Sequence, residues 1–348
     1  MGRQNVLVIG LGLIGGSVAK GLSENGKGGG KNVFFIDNSI ACLKPLNKIQ
    51  YKIAARFNFY NGTHESVRTI ETEKIKFDII IIACPIRFYD EVFSKISKTK
   101  HLKDVLITDV GSVKSNIYRH LSCKYANITK NFVPSHPIAG KEVSGFENSE
   151  AKMLRGKLCI ITPCENTPAS LIRKVQRLWA GLSMKTKIIS QETHDEIYAC
   201  VSHLPQFVSF LLDDFLSSFF PSNSNKNSNK NSNKIENECE DFLRLTKSPR
   251  EIWSDIFVFN SGFISKYTTK FVKEIECHKF SNHLELCVSI SKTCKMLATK
   301  YSKFGGSGFK AITSLANYTS DNPQNPPPTY NPTYKAQFLQ YLKSVTSF

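Results

Sequence analysis

The chain has 348 residues, 41% of them hydrophobic, and a formal net charge of +17. That length fits two domains better than one, and that apolar content can bury a sizeable core. No apolar run approaches the roughly 18 residues of a membrane span, and Val6-Leu7-Val8-Ile9 already reads as a strand, so neither a membrane segment nor a cleavable leader is expected. The lysines are spread along the chain, with no basic strip interleaved with aromatics, so the charge points to small anionic ligands rather than nucleic acid.

Taken in order, the first 190 residues alternate short apolar runs with amphipathic segments. Val6-Leu7-Val8-Ile9 is a strand, followed by a glycine turn and a helix over about 14–23. Val33-Phe34-Phe35-Ile36 is the second strand, and Asp78-Ile79-Ile80-Ile81-Ile82 another, leading into Ala83-Cys84-Pro85. Val105-Leu106-Ile107-Thr108 leads into Asp109-Val110-Gly111-Ser112, and Phe132-Val133 into Ser135-His136-Pro137. Leu158-Cys159-Ile160-Ile161 and Lys187-Ile188-Ile189 close the series. Near-continuous apolar strands separated by helices predict a parallel sheet covered on both faces.

From about residue 190 the period changes. Ile197, Val201, Leu204, Val208, Leu211, Leu212 and Phe215 recur at helical spacing, and helical patterns continue over 241–245, 252–270 and 283–300. Residues 221–234 repeat Asn-Ser-Asn-Lys and are too polar to order themselves, which predicts a flexible insert. From Gly305 the chain is rich in Gly, Asn and Pro and reads as a tail, with a short helix near 336–345. The expected organisation is a dinucleotide domain over 1–189, a helical domain over 190–304, and the tail over 305–348.

Gly10-Leu11-Gly12-Leu13-Ile14-Gly15 follows a strand and opens a helix. The first glycine makes the tight turn, the second lets the backbone approach a pyrophosphate, and the third lets helix and strand pack closely. Asp37 ends the second strand, 22 residues after Gly15, where a carboxylate takes the ribose hydroxyls. The pattern predicts dinucleotide binding, and Asp37 favours NAD over NADP because it would repel a 2′-phosphate. The competing reading of Asp37 is an ordinary turn or capping residue.

Three loops leave the carboxyl ends of predicted strands, the edge where open parallel sheets bind ligands. They carry Cys84-Pro85, Asp109-Val110-Gly111-Ser112 and His136-Pro137-Ile138-Ala139-Gly140. His136 is then placed to meet a nicotinamide ring and to take a hydroxyl proton as hydride leaves the same carbon. The competing reading is a structural histidine. The ten cysteines contain no Cys-x-x-Cys pair and the eight histidines no His-x-x-x-His pair, so no metal is expected and a reducing, cytoplasmic setting is.

Several motifs occur together and in order: the glycine turn with Gly16-Ser17, Asp109-Val110-Gly111-Ser112-Val113-Lys114, and His136-Pro137-Ile138-Ala139-Gly140-Lys141-Glu142-Val143-Ser144-Gly145. Ser202-His203-Leu204-Pro205 and Trp253-Ser254-Asp255-Ile256-Phe257 follow. Over about residues 5–300 the chain resembles the prephenate/arogenate dehydrogenase family of tyrosine biosynthesis. The resemblance implies a Rossmann-type doubly wound parallel sheet followed by an all-helical dimerisation domain. It also implies a homodimer, a site completed between the domains, and NAD-dependent oxidative decarboxylation of prephenate to 4-hydroxyphenylpyruvate.

By the same resemblance His136 is the base, and Ser112 hydrogen-bonds the ring hydroxyl, its alternative being a helix N-cap. Arg244 holds the ring carboxylate with a planar fork, and Glu142 lines the pocket. His194-Asp195 and His203 also match family positions: Asp195 is expected to anchor a helix start, and His203 to be structural or to support a residue that touches substrate. Two departures stand out. Many prephenate-specific relatives read Ser-His-Leu-Pro-His where this chain has Gln206, and the approach to Arg244 is Asn237-Glu238-Cys239-Glu240-Asp241. Both remove possible cationic contacts from the pyruvyl end, which keeps an arogenate or dual-specificity enzyme open as the alternative. A non-catalytic NAD-binding dimer is the distant third.

Overall fold

The computed structural model describes residues 4–24, 32–37, 52–56, 76–98, 104–141, 143–219 and 243–277. The predicted insert, the tail and the helix over 283–300 lie outside the described residues. Contacts divide the chain into two compact units, Met1–Asp195 with Ser254–Phe259, and Glu196–Trp253 with Asn260–Phe348. The division falls inside a helix, a few residues beyond the 189/190 boundary read from the change of period.

The first unit is built on β1 (Asn5–Ile9), β2 (Asn32–Asp37), β3 (Lys52–Arg56), β4 (Ile79–Ile82) and β5 (Leu106–Asp109). They form one all-parallel sheet in the order β3-β2-β1-β4-β5. Val6, Val8, Ile81, Ile82, Leu106 and Ile107 are all fully buried. A strand apolar on both faces is stable only when both faces are covered, and each such side chain contributes about 1.5–3 kcal/mol on burial. Helices α1 (Leu13–Glu24), α2 (Tyr89–Ser97), α3 (Ser115–Lys124) and the short α4 (Ala126–Thr129) connect these strands and lead out of β5. β3 has no apolar run, and the sequence reading did not include it.

Beyond β5 the sheet prediction needs correction. Phe132 makes only an isolated parallel bridge to Ile107. The next strands, β6 (Ser135–Pro137), β7 (Leu158–Ile161) and β8 (Lys185–Ile188), form a separate three-stranded sheet. β6 runs antiparallel to β7, with His136 opposite Ile160, and β8 runs parallel to β7. The connections explain the difference. Among the described residues between β6 and β7 there is a single 3₁₀ turn, Ala151–Met153, and no crossover helix, so the chain comes back antiparallel. Between β7 and β8 lies α5 (Ala169–Gly181), which supplies the crossover that a parallel pair needs.

In the second unit every described element is helical. α6 (Gln191–Tyr198) runs into a π-helical turn, Ala199–His203, and then α7 (Leu204–Phe219). Pro205 has no N–H to offer the carbonyl one turn back, and the wider turn Ala199–His203 just before it absorbs that loss without breaking the helix. A 3₁₀ turn, Arg244–Lys247, precedes α8 (Arg250–Phe259) and α9 (Ser261–Cys277). No helix among the described residues is long and apolar enough to cross a membrane.

Candidate active site

The strand order reverses between β1 and β4, so the crevice outside the carboxyl ends of these two strands is open to a ligand. The glycine turn leaves β1 there, beside Ala83 and Cys84 at the end of β4. Gly10 has φ +96°, and a Cβ on it would stand 2.7 Å from the Ala83 carbonyl carbon and the Cys84 nitrogen. A Cβ on Gly15 would overlap the Gly10 carbonyl oxygen. Only glycine meets both demands. Gly12 differs, because a Cβ there would meet nothing within 4 Å. The protein's own atoms thus leave space over Gly12, where α1 begins and its first N–H groups favour an anion.

Asp37 ends β2, and its Oδ2 accepts the Leu11 N–H at 2.6 Å. The carboxylate is half-buried at the rim of the turn. Through the bond to Leu11 it holds the glycine turn against the end of β2. Burial pushes the Cys84 thiol up to about 12, so it stays protonated and apolar. Pro85 is exposed and starts a 3₁₀ turn, Ile86–Phe88. Gly10, Leu11, Gly12, Leu13, Ile14, Gly15, Asp37, Cys84 and Pro85 come together as the sequence reading grouped them. Space above Gly12, a helix N-terminus and an acid at the end of β2 are the features a dinucleotide requires.

His136 sits in β6, half-buried, and its Nδ1 lies 2.8 Å from Nε2 of His194. His194 is fully buried, and its Nδ1 lies 2.8 Å from Oδ1 of Asp195. Burial pushes the His194 imidazole below its ordinary range, outweighing the nearby Asp195 charge. Burial also pushes the Asp195 carboxyl up, but hydrogen bonds from His194 and Ser115 outweigh this and hold it below its usual range. An ionised Asp195 and a neutral His194 fix the direction of the chain. His194 donates from Nδ1 to the carboxylate and accepts at Nε2 the Nδ1–H of His136. The lone pair of His136 therefore lies on Nε2, the tautomer a general base needs.

Asp195 does a second job. Its Oδ1 accepts the Lys114 N–H at 2.9 Å, and its Oδ2 accepts the Ser115 N–H at 2.8 Å and the Ser115 hydroxyl at 2.6 Å. It anchors a helix start, as expected, but the helix is α3, about 80 residues away, rather than its own. This bears on Ser112. The N-cap position of α3 is Lys114, which makes no side-chain capping bond, and Asp195 supplies the acceptor instead. Ser112 is thus not consumed as a cap, and it lies half-buried three residues before the helix begins at Ser115.

Arg244 opens the 3₁₀ turn Arg244–Lys247 and is half-buried. Gln206, read from the sequence as a substrate contact, is 1% exposed, and its Nε2 donates to the Leu245 carbonyl at 2.7 Å. Its place in the fold is behind the turn that carries Arg244. His203 is buried, accepts from the Asn260 amide at 3.0 Å and packs edge-on to Trp253. That is the structural role expected of it. Glu142 lies outside the described residues. The resemblance marked His194 together with Asp195, but the sequence did not pair it with His136. A histidine 58 residues distant leaves no spacing signal that joins the two rings.

Fold and site together define a nucleotide-binding oxidoreductase, with His136 hydrogen-bonded through His194 to Asp195. Comparison with known proteins sharpens this. Residues 46–189 match the family model for the prephenate dehydrogenase nucleotide-binding domain, and residues 190–285 match that for its dimerization domain. A cyclohexadienyl dehydrogenase from Zymomonas mobilis is 24% identical over 273 residues, covering 78% of this chain and 86% of that protein. A prephenate dehydrogenase from Bacillus subtilis is 26% identical over 282 residues, covering 79% and 69%. The crystal structure of prephenate dehydrogenase from A. aeolicus, in complex with hydroxyphenyl propionate and NAD+, superposes with a TM-score of 0.65 at 29% identity, covering 87% of this chain and 96% of that one. The chain belongs to the prephenate/arogenate dehydrogenase family.

Proposed function

We propose that the protein is an NAD-dependent prephenate dehydrogenase, converting prephenate to 4-hydroxyphenylpyruvate and carbon dioxide. The observation that carries this reading is the hydrogen-bonded series His136–His194–Asp195, which puts a lone pair on His136 Nε2. The 10–15 turn and Asp37 would hold NAD, which when bound would supply the acceptor for a hydride from the hydroxyl-bearing ring carbon. His136 takes the hydroxyl proton as that hydride departs, and the imidazolium so formed is stabilised through His194 by Asp195. Ser112 donates to the same hydroxyl oxygen and holds it in line. Loss of the ring carboxylate as carbon dioxide restores aromaticity. His136 then returns its proton to the phenolate oxygen, which leaves the base ready for another turnover.

Arg244 is the cation for the ring carboxylate, where a planar guanidinium makes two parallel hydrogen bonds. Gln206 supports it through the Leu245 carbonyl, and Glu142 belongs to the proposed substrate set by the family resemblance alone. The match to a dimerization domain supports a homodimer. A cytoplasmic setting belongs to the same reading, in keeping with free Cys84, Cys123, Cys159, Cys164 and Cys200.

One observation favours arogenate or dual specificity as the second reading. Gln206 is neutral and tied to the backbone, so it offers no cation to the pyruvyl carboxylate, and arogenate carries an ammonium at that end of the molecule. An assay of the purified protein with prephenate and arogenate, each with NAD and NADP, decides between them through the absorbance of reduced nicotinamide. The proposal expects turnover with prephenate and NAD. Turnover with arogenate alone moves the assignment to the second reading, and turnover with neither leaves a nucleotide-binding dimer without this chemistry.

A further inference from the structure

Behind the site lies a buried ion pair that the chemistry above does not use. Lys114 Nζ and Asp109 Oδ2 are 2.6 Å apart, with side chains 1% and 2% exposed. Lys114 Nζ also donates to the Ser135 carbonyl at 2.6 Å, and Asp109 Oδ1 accepts the Ser135 N–H at 2.9 Å. The pair therefore grips both backbone polar groups of the residue that precedes His136. Oδ2 of Asp109 further accepts the Tyr89 hydroxyl at 2.9 Å and the Gly111 N–H at 3.0 Å. The pair also ties together the two ends of the segment that carries Ser112. The backbone N–H of Lys114 reaches Asp195, which orients His194 and through it the His136 ring. Side chain and main chain of one lysine thus support His136 by two routes.

A pair of this kind is a poor source of stability. Desolvating two charges offsets most of their attraction, and well-packed apolar residues commonly serve as well or better. What an ion pair offers that an apolar contact does not is direction, because each hydrogen bond has one geometry.

We propose that Lys114 is a positioning residue, whose buried ion pair with Asp109 clamps the Ser135 peptide and the 109–114 segment and so holds His136 and Ser112 in one arrangement for reaction. This rests on the function proposed above. The clamp acts on the chemical step and not on binding.

The test is the neutral double variant Asp109→Asn/Lys114→Met, which avoids leaving one buried charge unpaired. Nucleotide affinity and the KM for substrate should stay within about threefold of the parent, while kcat falls by about thirtyfold or more. In protein labelled with ¹⁵N-histidine, the downfield Nδ1–H resonance of the His136–His194 hydrogen bond should be present in the parent and lost in the variant. A folded variant that keeps both kcat and this resonance within threefold of the parent overturns the proposal, as does a loss of kcat matched by equal losses in binding. Should the double variant fail to fold, Tyr89→Phe decides. It removes one donor from Asp109, and an unchanged kcat rejects the clamp. Should the parent turn over neither prephenate nor arogenate, the functional reading fails, and the resonance in parent and variant alone settles the clamp.

Discussion

His136 and His194 meet ring to ring, with Nδ1 of the first 2.8 Å from Nε2 of the second and the planes inclined at 65°. His194 is in turn bonded to Asp195, and both are fully buried. The pairing holds His136 in one definite tautomer, where a free imidazole would divide its population between two. The same carboxylate caps α3 and so ties the site to the loop that carries Ser112.

This relationship predicts a graded series of activities. His136→Ala should lower kcat by roughly 10²-fold or more with nucleotide affinity unchanged, because a positioned base contributes on that scale. His194→Phe keeps a buried ring but removes the acceptor, and kcat should fall by about tenfold or more. His194→Gln, which can still accept from His136, should retain more activity than the phenylalanine variant. Equal activity in the two His194 variants, measured by steady-state kinetics, would remove His194 from the positioning of the base.

The glycine turn yields a contrast between fold and binding. Gly12→Ala adds a methyl group into open space, so its thermal unfolding should match the parent, within about 0.5 kcal/mol. Nucleotide affinity, measured by calorimetry, should nevertheless fall at least tenfold, since the methyl group occupies the pyrophosphate's approach. Gly15→Ala instead meets the Gly10 carbonyl and should destabilise the domain itself. A Gly12→Ala protein with parental affinity would mean that the dinucleotide lies elsewhere.

Asp37 has two roles to separate. Asp37→Ser removes the charge that disfavours a 2′-phosphate and weakens the bond that holds the Leu11 N–H. Affinity for NAD should fall by about tenfold, near 1.4 kcal/mol, the scale of a charge-assisted hydrogen bond. Affinity for NADP should fall less or rise, so the ratio of the two moves toward NADP. An unchanged ratio, determined by titration with each nucleotide, leaves Asp37 with the turn alone.

The buried histidine also sets a dependence of stability on pH. The folded His194 is held below its ordinary value of 6.5, so the unfolded chain binds the proton first as pH falls. Its contribution is complete above about pH 6.5 and declines on acidification through that value, by at most about 1.4 kcal/mol per pH unit for one proton. Asp195, held below its usual 3.8, adds a loss only at lower pH, as pH falls through its folded-state value. Denaturant unfolding of the parent and of His194→Gln between pH 5 and 8 should show the slope reduced in the variant. Parallel curves would contradict a buried neutral His194.

The sequence by itself determined the local features. Apolar runs located β1, β2, β4, β5 and β7, because a strand buried on both faces admits little else. The glycine turn and Asp37 were legible because a backbone demand such as φ +96° at Gly10 writes itself into residue type. The motif around His136 carried the family, and the matches over 46–189 and 190–285 bear that out. Other features belonged to the tertiary structure. The direction of β6 depends on the absence of a crossover helix before β7, and β3 is held by pairing with β2 rather than by its own apolar content. Gln206 was legible as a departure but not as a buried donor to Leu245. Asp195 capping α3, His194 orienting His136 and Lys114 gripping Ser135 join residues from 21 to 81 positions apart. Hydrogen bonds at that range depend on where the fold brings the atoms, and no periodicity along the chain encodes them.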